Sequence, residues 1–173
     1  MEIWRYKSVV WDESGNPVEY NITGQSYKQL IDLCFEHADC FSMAKAPWVY
    51  AKDKRLALAL RDHRIREVQT NRWFGYKTPL IKINLYRVCK EAKESVLRFT
   101  DNLFLDSGDP KYFCSLEDLC FFKKDNLFFG TVSHERICSA HILTADFGNM
   151  LKCLGDWENE SVNSFNHLSL SDF

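Results

Sequence analysis

Val18-Glu19-Tyr20-Asn21-Ile22 runs almost directly into Ser26-Tyr27-Lys28-Gln29-Leu30-Ile31-Asp32-Leu33-Cys34-Phe35-Glu36-His37, and the hydrophobic period changes between the two stretches. In the first, Val18, Tyr20 and Ile22 alternate with polar residues, the period of two expected of a strand with one apolar face. In the second, Tyr27, Leu30, Ile31, Cys34 and Phe35 recur at i, i+3, i+4, i+7 and i+8, one stripe of a helix. Ser26 with Gln29 three residues on fits a capping box. The spacing therefore predicts a strand handing over to a helix across 26–37.

Upstream, Ile3 to Trp11 is rich in Trp, Tyr and Val and reads as a strand. Asp12-Glu13-Ser14-Gly15-Asn16-Pro17 is turn chemistry, so a β-hairpin is expected to open the fold. Downstream, residues 40–50 read as extended, and Asp53 is placed to cap a short helix carrying Leu56, Ala57 and Leu60. Residues 64–76 and 80–88 read as strands around a turn at Lys77-Thr78-Pro79. A helix is expected over 90–104, on Ala92, Val96, Phe99 and Leu103. A loop at Asp106–Pro110 precedes a short helix that Ser115 would cap and that would run through Cys120. Two strands, 126–133 and 136–142, then meet at Ser133-His134-Glu135. Thr144 is placed to cap a last helix with Phe147, Met150, Leu151 and Leu154 on one face. Gly155 stands where a left-handed residue would end that helix. Periodicity fades after Trp157.

Strands joined by hairpin-length turns, without strict βαβ alternation, predict an α+β fold: one domain, a mostly antiparallel sheet and three to five helices packed on it. The globular domain is expected over 1–157, with 158–173 a polar, mobile tail. The length of 173 residues suits one domain, and 46 % hydrophobic with 27 % charged residues excludes a disordered or collagen-like chain. No apolar run is long enough to span a membrane. Seven cysteines, an odd number, without a leader point to reduced thiols in a cytoplasm.

A net charge of -2 gives no general pull toward nucleic acid or anionic lipid. Its distribution is uneven. Residues 51–72 hold Lys52, Lys54, Arg55, Arg61, Arg64, Arg66 and Arg72 against three acids, whereas Lys152 alone faces five acids over 144–173. That polarity suits electrostatic steering of a charged partner. Aromatic residues reach 14 %, more than helix stripes account for. Trp4, Tyr6 and Trp11 are expected to be partly exposed on the opening hairpin, and Trp48 and Tyr50 offer a second such place. Trp4, Tyr6 and Trp11, with Asp156, Trp157, Glu158 and Glu160 at the acidic end, form the candidate partner-binding set.

Other constellations point to other chemistries. Arg64, Arg66, Arg72, Trp73, Phe74 and Tyr76 interleave cations and aromatics, and on a regular strand Arg64, Arg66 and Arg72 would share a face with Phe74 and Tyr76. Such a face could stack bases and track phosphates. His134, Cys138 and His141 carry metal-ligand side chains, but a strand would turn His141 away from the other two. His37 and Cys40 could pair as base and nucleophile. Glu117 and Asp118 would stand in the first turn of a helix, where the dipole favours acids. Phosphate-cradling and nucleophile-elbow motifs are absent from the sequence. No catalytic residue, metal or cofactor is therefore assigned.

Gly24-Gln25-Ser26-Tyr27 leading into Leu33-Cys34-Phe35, Leu116-Glu117-Asp118-Leu119-Cys120-Phe121-Phe122, and Gly130-Thr131-Val132-Ser133-His134-Glu135 together resemble a family of small bacterial proteins, some of which carry the label stage III sporulation protein AH. The resemblance spans most of 1–157, implies a bacterial cytosolic origin and transfers no catalytic residue. The expectation is a non-enzymatic cytosolic protein-binding module, most concretely an immunity or inhibitor protein that occludes a bacterial toxin. The alternatives are nucleotide or nucleic-acid binding through Arg64–Tyr76 and a small Cys/His enzyme.

Overall fold

Eight strands form one sheet in the order β10-β1-β9-β8-β7-β4-β6-β5, and every neighbouring pair is antiparallel. The strands are β1 Ile3–Tyr6, β4 Cys40–Lys45, β5 Arg64–Trp73, β6 Tyr76–Arg87, β7 Leu116–Lys123, β8 Asn126–Val132, β9 Ile137–His141 and β10 Trp157–Glu160. Among the described residues, β2 Val9–Trp11 and β3 Pro17–Glu19 pair only with each other. Four α-helices accompany them among the described residues: α1 Gly24–His37, α2 Arg55–Ala59, α3 Lys90–Phe99 and α4 Ala145–Leu154. The computed structural model describes residues 2–45, 53–73, 76–105, 114–160 and 169–172. The α+β class with a large antiparallel sheet is as the periodicities predict.

Cross-strand pairing assigns the two faces of the sheet. Tyr86, Phe41, Phe121, Phe129, Ala140 and Trp4 lie opposite one another from β6 through to β1, one unbroken row. Tyr27, Leu30, Ile31 and Cys34 of α1, Val96 of α3, and Phe147 and Leu151 of α4 join that row in a single buried cluster. Phe35, Phe41 and Phe121 meet with ring centroids 5.1 to 5.9 Å apart, the spacing of favourable tilted and edge contacts. Each large side chain buried there stabilises the fold by ~1.5–3 kcal/mol before entropy is counted. Most of the aromatic excess thus goes into the helix-covered core. The other face carries a smaller cluster: Cys40, Ala44, Ile83, Leu85, Cys120, Phe122, Leu127 and Val132, with Leu170 packed against it.

Several local expectations fail for identifiable reasons. Leu116–Lys123 is a strand, not a helix begun by Ser115. It is buried along nearly its whole length, and a strand covered on both faces loses the alternation that would distinguish it from a helix. α1 starts at Gly24 with Thr23 as its N-cap, and no side chain caps it, so the Ser26–Gln29 box is not formed. β6 already runs through Lys77, Thr78 and Pro79, and Trp73 pairs with Tyr76, so the expected turn at 77–79 is strand. α3 stops at Phe99, where the Thr100 hydroxyl donates to the Val96 carbonyl. Leu103 still reaches the core, because its N–H donates to the Ile22 carbonyl.

The expected opening hairpin divides. Ile3–Tyr6 enters the main sheet between β9 and β10, while residues 9–19 form the separate two-stranded ribbon. The mobile tail expected from 158 begins inside β10, which pairs with β1 from Tyr6↔Trp157 to Ile3↔Glu160. Leu170 is also anchored: its N–H donates to the Asp125 carbonyl, and its own carbonyl accepts from Arg66. The expectations for Pro47, Trp48 and Tyr50 and for the loop at Asp106–Pro110 lie outside the described residues. One cap matches the sequence: the Thr144 hydroxyl accepts from the Phe147 N–H at 3.1 Å. Asp53 stands one residue before the N-cap of α2, which is Lys54, and its Oδ1 accepts from the Arg55 N–H at 3.0 Å.

Candidate functional site

The β2–β3 ribbon is the most solvated part of the fold, with residues 9–20 all exposed. Its turn is built by Asp12, whose Oδ1 accepts N–H bonds from Ser14 and Asn16 at 2.8 Å, while Gly15 takes φ +79°. Those donors hold the Asp12 carboxyl below its usual range. The ribbon is rooted by Arg136, which donates to the Tyr20 carbonyl, pairs with Glu19 at 3.3 Å and lies over the Phe104 ring. Ser8 is hydrogen-bonded to the Arg136 carbonyl at the same root. Beyond the root, Val9, Val10, Trp11, Val18 and Tyr20 stand in water, with Trp11 at 68 % exposure. Exposed apolar side chains on both faces of one projecting ribbon are unusual for a surface with no partner.

The partner-binding set predicted above is redistributed. Trp4 and Tyr6 are core residues, 8 % and 5 % exposed, because β1 lies inside the sheet and not on the ribbon. Gly148 of α4 packs on the Trp4 ring, and Lys152 lies over it at 4.5 Å. Trp157 is half-buried against Tyr6 and Phe129. Glu160 is half-buried and faces Arg5 at 3.8 Å. Trp11, Asp156 and Glu158 remain exposed. Asp156 meets Lys7 at 3.2 Å, so the acidic edge strand β10 begins where the ribbon leaves β1. Asp156 therefore stands near the root of the ribbon, while Trp11, Asp12 and Glu13 lie at its far end.

The basic strand does not form the face predicted for it. A bulge between Arg64 and Arg66 pairs Arg64 with Tyr86 but Arg66 with Leu85. Adjacent partners point to opposite faces, so the two arginines are separated by the sheet. Arg64 reaches Glu67 and Asn84 on one side; Arg66 binds the Leu170 carbonyl on the other. Arg72, Trp73 and Tyr76 are placed only by their backbone pairing near the strand ends, and Phe74 lies outside the described residues.

The Cys/His candidates also separate. Cys138 is fully buried in the helix-covered core, and burial pushes its thiol well above the usual range. His134 sits outside β9 in the 3-10 turn Ser133–Glu135, and His141 pairs with Ile3 on the opposite face from Cys138. His134 instead lies 3.8 Å from Glu117, and ligand-type atoms of Glu117, Asp118 and His134 fall within 4.8 Å of one another. Asp118 is not in a helix turn. It takes φ +55° in a strand and accepts the Ser133 N–H at 2.7 Å. His37 packs edge-on to Phe147, while Cys40 belongs to the opposite face, where burial pushes its thiol up to about 11.

One pair was missed. Cys89, the N-cap of α3, places its sulfur 3.5 Å from Nδ1 of His63, which ends the 3-10 turn after α2. Cys89 immediately before Lys90-Glu91-Ala92 marks a helix start, but nothing local to His63 announces a contact 26 positions away. No family model matches the chain, and no curated protein or solved structure matches it either.

Proposed function

We propose that the protein is a non-enzymatic protein-binding module, an immunity-type inhibitor that occludes a basic bacterial toxin. The observation that carries this reading is the β2–β3 ribbon, whose apolar side chains project into water beside an acidic edge strand. A two-stranded ribbon alone is marginally stable, so a partner that packed on Val10, Trp11, Val18 and Tyr20 would order it as well as desolvate it. Trp and Tyr are the side chains that most often dominate such contacts. Asp12 and Glu13, exposed in the turn of the ribbon, favour a cationic partner and speed its encounter. Nucleic-acid binding through Arg64–Tyr76 loses the shared cationic face that it required.

The test pairs capture with function. Wild-type protein and Trp11→Ala are used as baits in native lysate, and any basic protein retained is expressed alone and with the wild type. The reading predicts a basic protein held by wild type and lost with Trp11→Ala, toxic alone and neutralised by co-expression. Equal retention by both baits, or a retained protein whose toxicity is unrelieved, overturns it.

A further inference from the structure

We propose that Cys89 is a modification site, a nucleophilic thiol with His63 as its base, which forms mixed disulfides with low-molecular-weight disulfides entering the cleft between α1 and α3.

Three features converge on the sulfur. The first is the imidazole, with Nδ1 at 3.5 Å, a normal reach for a sulfur hydrogen bond. The second is position: Cys89 is the N-cap of a ten-residue helix, so its sulfur stands at the end where the helix leaves backbone N–H groups without intrahelical partners. The third is access. Cys89 lines an open cleft of about 580 Å³ with Phe35, Val88, Lys90 and Lys93, and Asp32 and Glu36 complete its α1 side. Asp32 and Lys93 bridge the two helices at 2.6 Å. Against these stands Glu91 in the first helical turn, which competes with His63 for the thiol proton: its carboxyl is held below the usual range by its own backbone N–H first and by a hydrogen bond from Cys89 next.

The remaining cysteines make the contrast. All seven are free. Cys34, Cys40, Cys120 and Cys138 are buried, and Cys114 is half-buried like Cys89, but its thiol is pushed up to about 11 by burial. Cys153 is exposed on α4. Exposure alone would therefore make Cys153 the first thiol to react, whereas a thiol with a base would make it Cys89.

The chemistry balances within the pair. The Cys89 sulfur attacks one sulfur of the disulfide as its proton passes to His63 Nδ1. The S–S bond of the reagent breaks, and the departing thiolate takes the proton back. Cys89 is oxidised to a mixed disulfide, and one half of the reagent is reduced to free thiol.

The experiment follows thiol release from 4,4′-dithiodipyridine, a neutral disulfide, on native full-length protein, with the modified residue located by peptide mass spectrometry. Cys89 is expected to react first, about tenfold faster than Cys153. Cys89→Ser should remove that fast phase. His63→Ala should slow it about tenfold while leaving the Cys153 rate and the melting temperature unchanged. Modification of Cys153 before Cys89 overturns the proposal, as does a Cys89 rate that His63→Ala leaves alone. A His63→Ala variant that melts early with an unaltered Cys89 rate shows a structural imidazole, which also overturns it. None of these outcomes depends on whether the ribbon binds a toxin.

Discussion

Gly155 lies so close to Tyr6 that a Cβ on it would stand 2.8 Å from Cε2 of the ring and 3.2 Å from Ile22 Cδ1. Its φ of −176° is ordinary extended backbone, so the left-handed helix end predicted from sequence is not the reason for this glycine. Close approach is. The Tyr6 ring is buried and packed at a tilt against Trp157 and Phe104, so it has little room to yield. Gly155→Ala is expected to cost ~1–3 kcal/mol through overpacking. The urea midpoint should fall at unchanged slope; an unaltered midpoint would show that the ring moves freely.

Trp4 and Trp11 are seven positions apart and should behave oppositely. Trp4→Ala leaves a hole under α4 and is expected to cost ~3–5 kcal/mol. Trp11→Ala should change stability by no more than ~0.5 kcal/mol, since its ring is in water. Calorimetric melts of the two variants check this. Comparable losses would contradict the separation of β1 from the ribbon.

Helix capping offers a similar contrast. Thr144→Ala removes the acceptor for the Phe147 N–H and is expected to cost ~1 kcal/mol. Ser26→Ala should be within ~0.5 kcal/mol of wild type, because α1 begins before it. Chemical denaturation of both variants under one set of conditions decides between the capping box and the observed helix start.

Arg55 holds the Asp53 carboxyl below its usual range, chiefly through side-chain hydrogen bonds at 2.7 to 3.1 Å. A depressed carboxyl contributes its stability above the unfolded pKa of about 4, and that contribution fades as pH falls through the lower folded value. Arg55 is largely exposed, so the pair should contribute less than ~1 kcal/mol. Arg55→Ala is expected to flatten the acid limb of the stability curve below about pH 4 and to leave its shape above pH 6 unchanged. Denaturation midpoints measured across pH give the comparison.

How much of this was legible depends on where the information lies along the chain. α1 was readable because Tyr27 to Phe35 carry a full 3.6-residue stripe. β6 was readable because Ile81, Ile83 and Leu85 alternate with polar residues. β7 was not. Leu116 to Phe122 is apolar on both faces apart from Glu117 and Asp118, and a short apolar run has no period to betray its type. The bulge at Arg64/Arg66 was equally silent, yet it reverses which face each arginine meets.

The sequence by itself determined the α+β class, the antiparallel character of the sheet and most helix positions, because local periodicity and turn chemistry act over a few residues. Tertiary structure alone decided that Trp4 and Tyr6 are core while Trp11 is not, since that depends on β1 being flanked by β9 and β10. It alone brought His63 to Cys89, and Glu117 to His134. Burial and side-chain proximity are set by which strands become neighbours, and strand order is a property of the packed chain that no local pattern carries.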